Sequence, residues 1–230
     1  GWSPTVNGTV ALAGADRSST GAVYKGLAIA GDKLYATDFH NGRVDVFDSS
    51  FTLVPGGFTD PKIPQGFAPF GIQALGGNIY VTYAQQDAAK KDDVAAPGKG
   101  YVDEFAPDGT LIGNVVNSGK KNAPLNAAWG LAMAPADFGS FAGDLLVGNF
   151  GNGRISAYTQ RGSNWVYKGQ LRHADEVPRA IGMVLDPAPD EGVPAAVHRL
   201  PHAGQHRIPL AALDEGPDLC ARGAAAAFAA

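Results

Sequence analysis

The sequence predicts an all-β fold, a β-propeller of four-stranded antiparallel blades. The first observation is a phrase of glycine, strand, turn and strand that occurs three times in 230 residues and opens at Gly26, Gly71 and Gly130. The second is the composition, since 31 glycines and 16 prolines suit many turns between short strands. Repetition at this spacing is typical of architectures in which each repeat packs against the next. We therefore expect about three complete blades.

The first complete repeat begins at about residue 25 and shows the pattern most clearly. It predicts strands over residues 26–30, 33–38 and 43–48, with a weak fourth strand near 51–54. Asn41 and Gly42 supply the hairpin turn between the second and third strands, where residues with positive φ are needed. Alternating apolar residues at Val44 and Val46 indicate a strand that is half-buried between stacked blades.

The other two repeats begin at about residues 70 and 129. An insertion over residues 84–100 separates the second and third strands of the middle repeat, and its polar composition favours a solvated loop. The pattern of residues 1–12 matches only the last part of a repeat. It predicts the outer strand of a further blade. Residues 1–171 then form an incomplete propeller. We expect such a stack to be marginally stable or to self-associate through its open blade edges.

Residues 172–230 differ from the rest of the chain in composition. They contain no Ser, Thr, Asn, Lys, Tyr or Trp and are rich in Ala, Pro and Arg. We interpret them as an irregular C-terminal tail, either disordered or read in a shifted frame, with a divergent native segment as the alternative. The tail holds Cys220, the one cysteine, which excludes an internal disulfide and a four-cysteine zinc site.

Three stretches carry a resemblance to a known repeat. They are GAVYKGLAIA, LYATDFHNGRVDVF and GDLLVGNFGNGRISAY. They resemble the NHL-type propeller repeat, and with their loops they resemble the middle of an uncharacterised family of secreted bacterial proteins, over about residues 1–172. The resemblance implies a bacterial protein that is secreted or held at the cell surface, with the signal peptide absent from this chain. It implies no activity and no catalytic residues.

Charge and hydropathy exclude several classes of partner. The formal net charge is −4, which gives no basic footprint for nucleic acid or for anionic lipid. The chain has no run of about 18 apolar residues, so we expect no membrane span. The partners that remain are a protein, a glycan or a small molecule bound at the loop ends of the blades.

One candidate metal site lies in the insertion of the middle repeat. Asp87, Asp92 and Asp93 supply the oxygen ligands that Ca²⁺ prefers. Their spacing does not match that of a calcium-binding loop, and Lys90 and Lys91 between them would neutralise the site. We expect no cofactor, with Ca²⁺ as the weaker alternative.

Four residues near strand ends are candidates for the loop face, namely Asp38, His40, Tyr83 and Asn149. The segments that contain Asp38 and Asn149 occupy the same place in two repeats, just after the second strand. A residue demanded by a turn recurs in every blade, whereas a catalytic residue occurs once. The asparagines that recur in these segments are therefore turn formers, and His40 is the nonrepeated member that could act as a general base.

Two functions fit these observations. The first is a noncatalytic binding or scaffolding propeller that acts through its loop face. The alternative is a metal-assisted, lactonase-like hydrolase or lyase, which needs polar groups converging on a central channel. Asp38, His40 and Asn149 facing one channel would favour the enzyme, and the same residues bound within turns would favour the binding module. Aromatic residues at the blade ends could line a recognition face, although packing between blades is their simpler role: Phe39, Phe67, Phe70, Tyr83, Trp129 and Phe150.

Overall fold

The computed structural model describes residues 1–116 and 124–171, which form three four-stranded antiparallel sheets. Blade 1 contains β1 (Tyr24–Ala30), β2 (Lys33–Asp38), β3 (Arg43–Phe47) and β4 (Leu53–Val54). Blade 2 contains β5 (Phe67–Leu75), β6 (Asn78–Gln85), β7 (Tyr101–Phe105) and β8 (Leu111–Val116). Blade 3 contains β9 (Ala128–Met133), β10 (Leu145–Asn149), β11 (Ile155–Arg161) and β12 (Asn164–Gln170). The predicted all-β fold with three repeats is confirmed, and the predicted tail lies outside the described residues.

The blades are arranged as in a propeller, with the first strand of each blade innermost. β1 lies against β5, and β5 lies against β9. The strand order within every sheet follows the chain, so each blade is a simple meander. Equivalent cross-strand pairs recur in the three blades: Leu27 with Ala36, Ile72 with Val81, and Leu131 with Val147. The register of strand pairing is thus repeated from blade to blade together with the sequence.

The glycines that open the first two repeats are explained by the close approach of neighbouring inner strands. A Cβ atom on Gly26 would lie 3.0 Å from the carbonyl oxygen of Phe70. A Cβ atom on Gly71 would overlap the carbonyl oxygen of Trp129. Neither glycine has a positive φ, so space rather than backbone conformation requires glycine at these two positions.

Two apolar cores fill the spaces between the blades. The core between blades 1 and 2 includes Tyr35, Ile79, Val81 and Phe105 among its buried members. The core between blades 2 and 3 is built in the same way and includes Tyr80, Val102, Leu125, Leu145 and Val147. Because successive residues of a strand point to opposite faces, β6 supplies Ile79 and Val81 to one core and Tyr80 to the other.

Residues 1–12 do not form the predicted outer strand. The segment turns at residues 3–7, and the amide of Leu12 donates to the carbonyl of Gly1 at 2.7 Å. It pairs with none of the three sheets. A strand is stabilised by a neighbour in a ladder, and no described strand of the chain runs beside this segment. No helix in the described residues is both long and apolar enough to span a membrane.

Candidate functional site

The candidate site is the loop face, the end of the propeller at which β1, β5 and β9 begin and β2, β6 and β10 end. It is formed by the connections over residues 38–43, 85–101 and 149–155. These are the turns that follow the second strand of each blade, and the middle one contains the insertion. Asp38, His40, Tyr83 and Asn149 all lie at this end of the molecule.

Asp38 holds the turn between β2 and β3. Its carboxylate is fully buried and accepts hydrogen bonds from the amides of Val23 and Asn41, both at 3.2 Å. The side-chain amide of Asn41 donates to it at 2.6 Å, and a guanidinium nitrogen of Arg43 lies 3.6 Å away. Its hydrogen-bonding capacity is used within blade 1, so Asp38 is a turn former.

Asn149 plays the same part in blade 3. Its side-chain oxygen accepts the amide of Asn126 at 2.8 Å. Its side-chain nitrogen donates to the carbonyl of Arg154 at 2.9 Å and to the hydroxyl of Ser156 at 3.3 Å. Both ends of this buried amide are thus occupied, and the residue ties the entry of blade 3 to its β10–β11 turn.

The structure does not bring His40 and Tyr83 into one site. The ring of His40 is half-buried, and its Nδ1 has no hydrogen-bond partner. Tyr83 points into the core between blades 1 and 2, with its hydroxyl beside the carboxyl of Asp103, and burial raises the pKa of this tyrosine. Tyr83 therefore lies at this end of β6 with its side chain turned into the core, because alternation along β6 places it on the same side as the core residue Val81.

The three carboxylates of the insertion serve separate purposes. Asp87 accepts the amides of Lys91 at 2.8 Å and Asp92 at 3.3 Å, and these backbone donors lower its pKa. Asp92 pairs with the ammonium of Lys25 at 2.9 Å. Asp93 is half-buried, and burial raises its pKa. In the part of the chain that the structure describes, no three acidic, histidine or cysteine side chains group as a metal-ligand set.

The insertion crosses the loop face and contacts both neighbouring blades. On the side of blade 1, the side-chain amide of Gln86 donates to the carbonyl of Phe39 at 2.5 Å. On the side of blade 3, the amide of Gly98 donates to the carbonyl of Leu125 at 2.8 Å. The prediction of a solvated loop is therefore incomplete, because residues 86–100 form a bridge anchored at both ends.

Four aromatic side chains form a row across the loop face, from the core to the surface. We call Phe39, Phe70, Phe150 and Trp129 the aromatic row. Phe39 lies 5.3 Å from Phe70, Phe70 lies 6.1 Å from Phe150, and Phe150 lies 6.5 Å from Trp129, all between ring centroids. Phe39 and Phe70 are buried, Trp129 is half-buried, and Phe150 is 64% exposed. The row thus presents one fixed, accessible ring.

A hydrogen bond links Trp129 of this row to the first blade. The indole nitrogen of Trp129 donates to the carbonyl of Lys25 at 2.9 Å. Sequence reasoning missed Lys25, which takes the position directly before the opening glycine that Phe70 and Trp129 occupy in the other two repeats. The pairing of Lys25 with Asp92 of the insertion spans 67 positions and has no signal in the repeat pattern.

Three buried polar atoms near the loop face have no hydrogen-bond partner. They are Nδ1 of His40, Oε1 of Gln85 and Oδ1 of Asn126. Buried polar atoms are normally paired, so these three retain capacity for a further hydrogen bond. The loop face therefore combines an exposed aromatic ring with a polar, hydratable surround.

Curated relatives of the chain are viral and uncharacterised. No protein-family model matches it. It is 33% identical over 171 residues to uncharacterized protein R640 of Acanthamoeba polyphaga mimivirus, covering 72% of this chain and 31% of that protein. It is 34% identical over 197 residues to uncharacterized protein R648 of the same virus, covering 82% and 47%. The chain spans less than half the length of these relatives.

Solved structures with a similar backbone include propeller enzymes. A gluconolactonase from Xanthomonas campestris is 16% identical, with a TM-score of 0.48 over 64% of this chain and 48% of that one. A glutaminyl cyclase from Myxococcus xanthus is 14% identical, with a TM-score of 0.37 over 62% and 50%. With scores this low, these likenesses carry no argument about activity, and the fold is established by the chain's own strand order and blade packing.

Proposed function

We propose that this protein is a noncatalytic binding propeller that holds its ligand on the loop face, against the exposed ring of Phe150. The observation that carries the proposal is the aromatic row. It fixes one accessible aromatic ring by contacts with Phe70 and Trp129. Rigid aromatic side chains in a polar rim are the usual anchors of binding sites.

The polar residues of the loop face support binding rather than catalysis. Of the three side chains that a channel-based hydrolase would use, Asp38, His40 and Asn149, the first and the last are engaged in turns. A metal-assisted mechanism needs open coordination positions and several ligands close together. Within residues 1–116 and 124–171 no group of side chains meets these requirements of the lactonase-like alternative.

The chemistry of the face suits a ligand with a flat apolar side and hydrogen-bonding edges. A sugar ring has this form, because its axial C–H groups pack on an aromatic face while its hydroxyls bond outward. Lys25 and Asp92, which lie at the edge of the insertion and are paired at 2.9 Å, offer donors and acceptors. We therefore take a glycan as the ligand class.

The proposal is tested by titrating soluble glucose and N-acetylglucosamine oligomers while following tryptophan fluorescence, since Trp129 contacts Phe150. Replacing Phe150→Ala should weaken binding by about tenfold, equivalent to about 1.4 kcal/mol. Phe150→Tyr should retain binding. The matched control is Phe51→Ala, because Phe51 is also exposed but lies in the turn between β3 and β4 at the opposite end.

Two results would contradict this proposal. Equal affinity of the Phe150→Ala and Phe51→Ala variants would place the ligand away from the aromatic row. Hydrolysis of a lactone by the purified protein, abolished by a chelator, would favour the enzyme instead.

The location of the protein is a separate proposal that rests on the resemblance of its strands and loops to secreted bacterial proteins. The viral relatives supply no support for it. Fractionation of cells that express the full-length gene tests it, since an exported protein should be found in the medium or at the cell surface.

A further inference from the structure

A cluster of polar side chains binds the connection between blades 1 and 2 to the outer part of blade 2. Residues 55–66, which we call the linker, join β4 to β5. The side-chain nitrogen of Asn114 on β8 donates to the carboxylate of Asp60 in the linker at 2.5 Å and to that of Asp103 on β7 at 2.7 Å. One amide group thus joins two carboxylates. We call Asp60, Asp103 and Asn114 the linker clasp.

The two carboxylates of the linker clasp have no cation in direct contact. The titratable groups that act on Asp103 are Asp60 and Lys62 of the linker and Tyr83 of β6. The ammonium of Lys62 donates to the side-chain oxygen of Asn114 at 3.0 Å, which directs the amide nitrogen toward the carboxylates. In the part of the chain that the structure describes, no ion pair includes either carboxylate. Two carboxylates on one nitrogen repel each other when both are ionised, so one proton stabilises the cluster.

Burial strengthens this repulsion. Asp103 is fully buried, and its Oδ2 has no hydrogen-bond partner. Alternation along β7 directs its side chain to the same side as Tyr101 and Phe105, which belong to the core between blades 1 and 2. Water is excluded from this surround, and the interaction between charges is stronger where water is excluded. Loss of the proton therefore places an unfavourable charge beside Asp60.

The part of the linker that carries Asp60 is a small turn between two apolar anchors. The carboxylate of Asp60 accepts the amide of Lys62 at 2.9 Å, and its carbonyl accepts the amide of Ile63 at 3.2 Å. Phe58 is buried in the core before this turn, and the Ile63 side chain packs against the same core. Residues 60–63 can thus open locally while the blades remain packed.

We propose that the linker clasp is a pH-sensitive switch that is closed while its two carboxyl groups hold one proton. When this proton passes to the solvent, repulsion from Asp103 moves Asp60 away, and the turn at residues 60–63 separates from β8. The equivalent aspartate of blade 1, Asp45, lies 2.8 Å from a guanidinium nitrogen of Arg43. Its charge is therefore compensated by a cation, and the switch is confined to the connection before blade 2.

The direction of the switch follows from the burial of Asp103, which raises the pKa of this carboxyl to about 7. In the open state the group is hydrated, and its pKa approaches the ordinary value of about 4. Because the closed state has the higher pKa, closure is favoured fully below about pH 4 and weakens as the pH rises through about 7.

The test is hydrogen exchange of the Ile63 amide in the full chain, followed by NMR and corrected for the intrinsic exchange rate. Protection of this amide should fall about tenfold between about pH 6 and about pH 8. The internal control is the amide of Gly153, which donates to the carbonyl of Asn149 at 2.8 Å in a turn of blade 3 and should keep its protection.

Two variants assign the response to the linker clasp. Asp60→Asn removes one of the two carboxylates, so Ile63 should retain at pH 8 the protection that it has at pH 6. Asp108→Asn changes an aspartate that contacts Thr110 outside the clasp and should respond as wild type does. Circular dichroism of each variant checks that it folds.

Three results would overturn the proposal. In wild type, equal protection of Ile63 at the two pH values would show that the clasp does not open. An equal fall at Gly153 would indicate a loss of stability throughout the chain. A full response in Asp60→Asn would show that Asp103 titrates without its partner in the linker.

Discussion

At the scale of single residues, two equivalent aspartates have different surroundings. Asp45 and Asp103 occupy the same place in their blades, opposite Ala36 and Val81. Asp45 has a guanidinium partner, whereas Asp103 accepts the side-chain amide of Asn114 at 2.7 Å and contacts no cation. Burial raises the pKa of Asp103 to about 7. Repetition thus preserves a position without preserving its electrostatics.

The surroundings of Asp103 predict a pH dependence of stability. Burial is the dominant influence on the pKa of Asp103 and raises it. The Asn114 amide lowers this pKa, and the neighbouring carboxylate of Asp60 raises it. Lys62 and Tyr83 are the other titratable groups that face Asp103. A folded pKa above the unfolded value of about 4 means that the stabilising contribution is complete below about pH 4 and is lost as the pH rises to about 7. The free energy of unfolding should fall by up to about 1.4 kcal/mol per pH unit within this window.

Urea unfolding of wild type and Asp103→Asn at pH 5, 6, 7 and 8 measures this contribution. Between pH 5 and 7, the free energy of unfolding should decrease much less in this variant than in wild type. Asp108→Asn is the control, because the amide and hydroxyl of Thr110 lower the pKa of exposed Asp108, which is already ionised at pH 5. An unchanged slope in Asp103→Asn would assign the pH dependence to another group.

A second residue prediction concerns the glycine that opens the repeats. Gly71→Ala forces a methyl group onto the carbonyl of Trp129, so the inner strands of blades 2 and 3 must separate. We expect a loss of about 3 kcal/mol in the free energy of unfolding. A Cβ atom on Gly113 in β8 would have no other atom within 4 Å. The Gly113→Ala substitution should therefore change the free energy of unfolding by at most about 1 kcal/mol. Equal effects of the two substitutions in chemical denaturation would contradict the close-approach explanation.

At the scale of elements, the insertion of blade 2 consists of an anchored base and a removable tip. Gln86 and Asp93 form an isolated antiparallel bridge, and the amide of Val94 donates to the carbonyl of Gln85 at 2.8 Å. Residues 87–92 therefore leave and re-enter the loop face at neighbouring points. The contacts of the base, including Gln86 with Phe39, do not depend on this tip.

Replacing residues 87–92 with a two-residue Asn-Gly turn should preserve the fold. Such a turn joins adjacent antiparallel positions, and the principal loss is the ion pair of Lys25 with the exposed Asp92, a class of pair worth about 0–1 kcal/mol. The melting temperature by circular dichroism should fall by only about 0–5 °C. A large fall would show that the tip stabilises the loop face. Asp92→Asn alone separates the contribution of the ion pair.

At the scale of the whole molecule, the loop face is assembled from more than one of the described blades. Phe150 lies in the β10–β11 turn of blade 3, whereas Phe70, whose ring lies 6.1 Å away, belongs to β5 of blade 2. The insertion of blade 2 contacts blade 1 through the bond from Gln86 to the carbonyl of Phe39. The ligand site that we propose therefore depends on the packing of the blades against one another.

The sequence determined the number of blades, their order and most of their turns. These follow from local patterns, since alternation of apolar residues identifies strands and Asn-Gly pairs identify hairpins. It also predicted that the asparagines recurring after the second strands form turns, because a structural role repeats with the repeat. Residues 1–12 do not form the predicted outer strand, because a strand pattern forms a strand only where a partner strand lies beside it.

Only the tertiary structure decided which residues meet between blades. The bond from Trp129 to Lys25 joins residues 104 positions apart, and no periodicity predicts it. The raised pKa of Asp103 likewise depends on its burial in the folded stack, which no periodicity predicts. A repeat specifies its own strands, whereas the contacts of its faces depend on how far one blade is rotated from the next, which is set by packing across the whole stack.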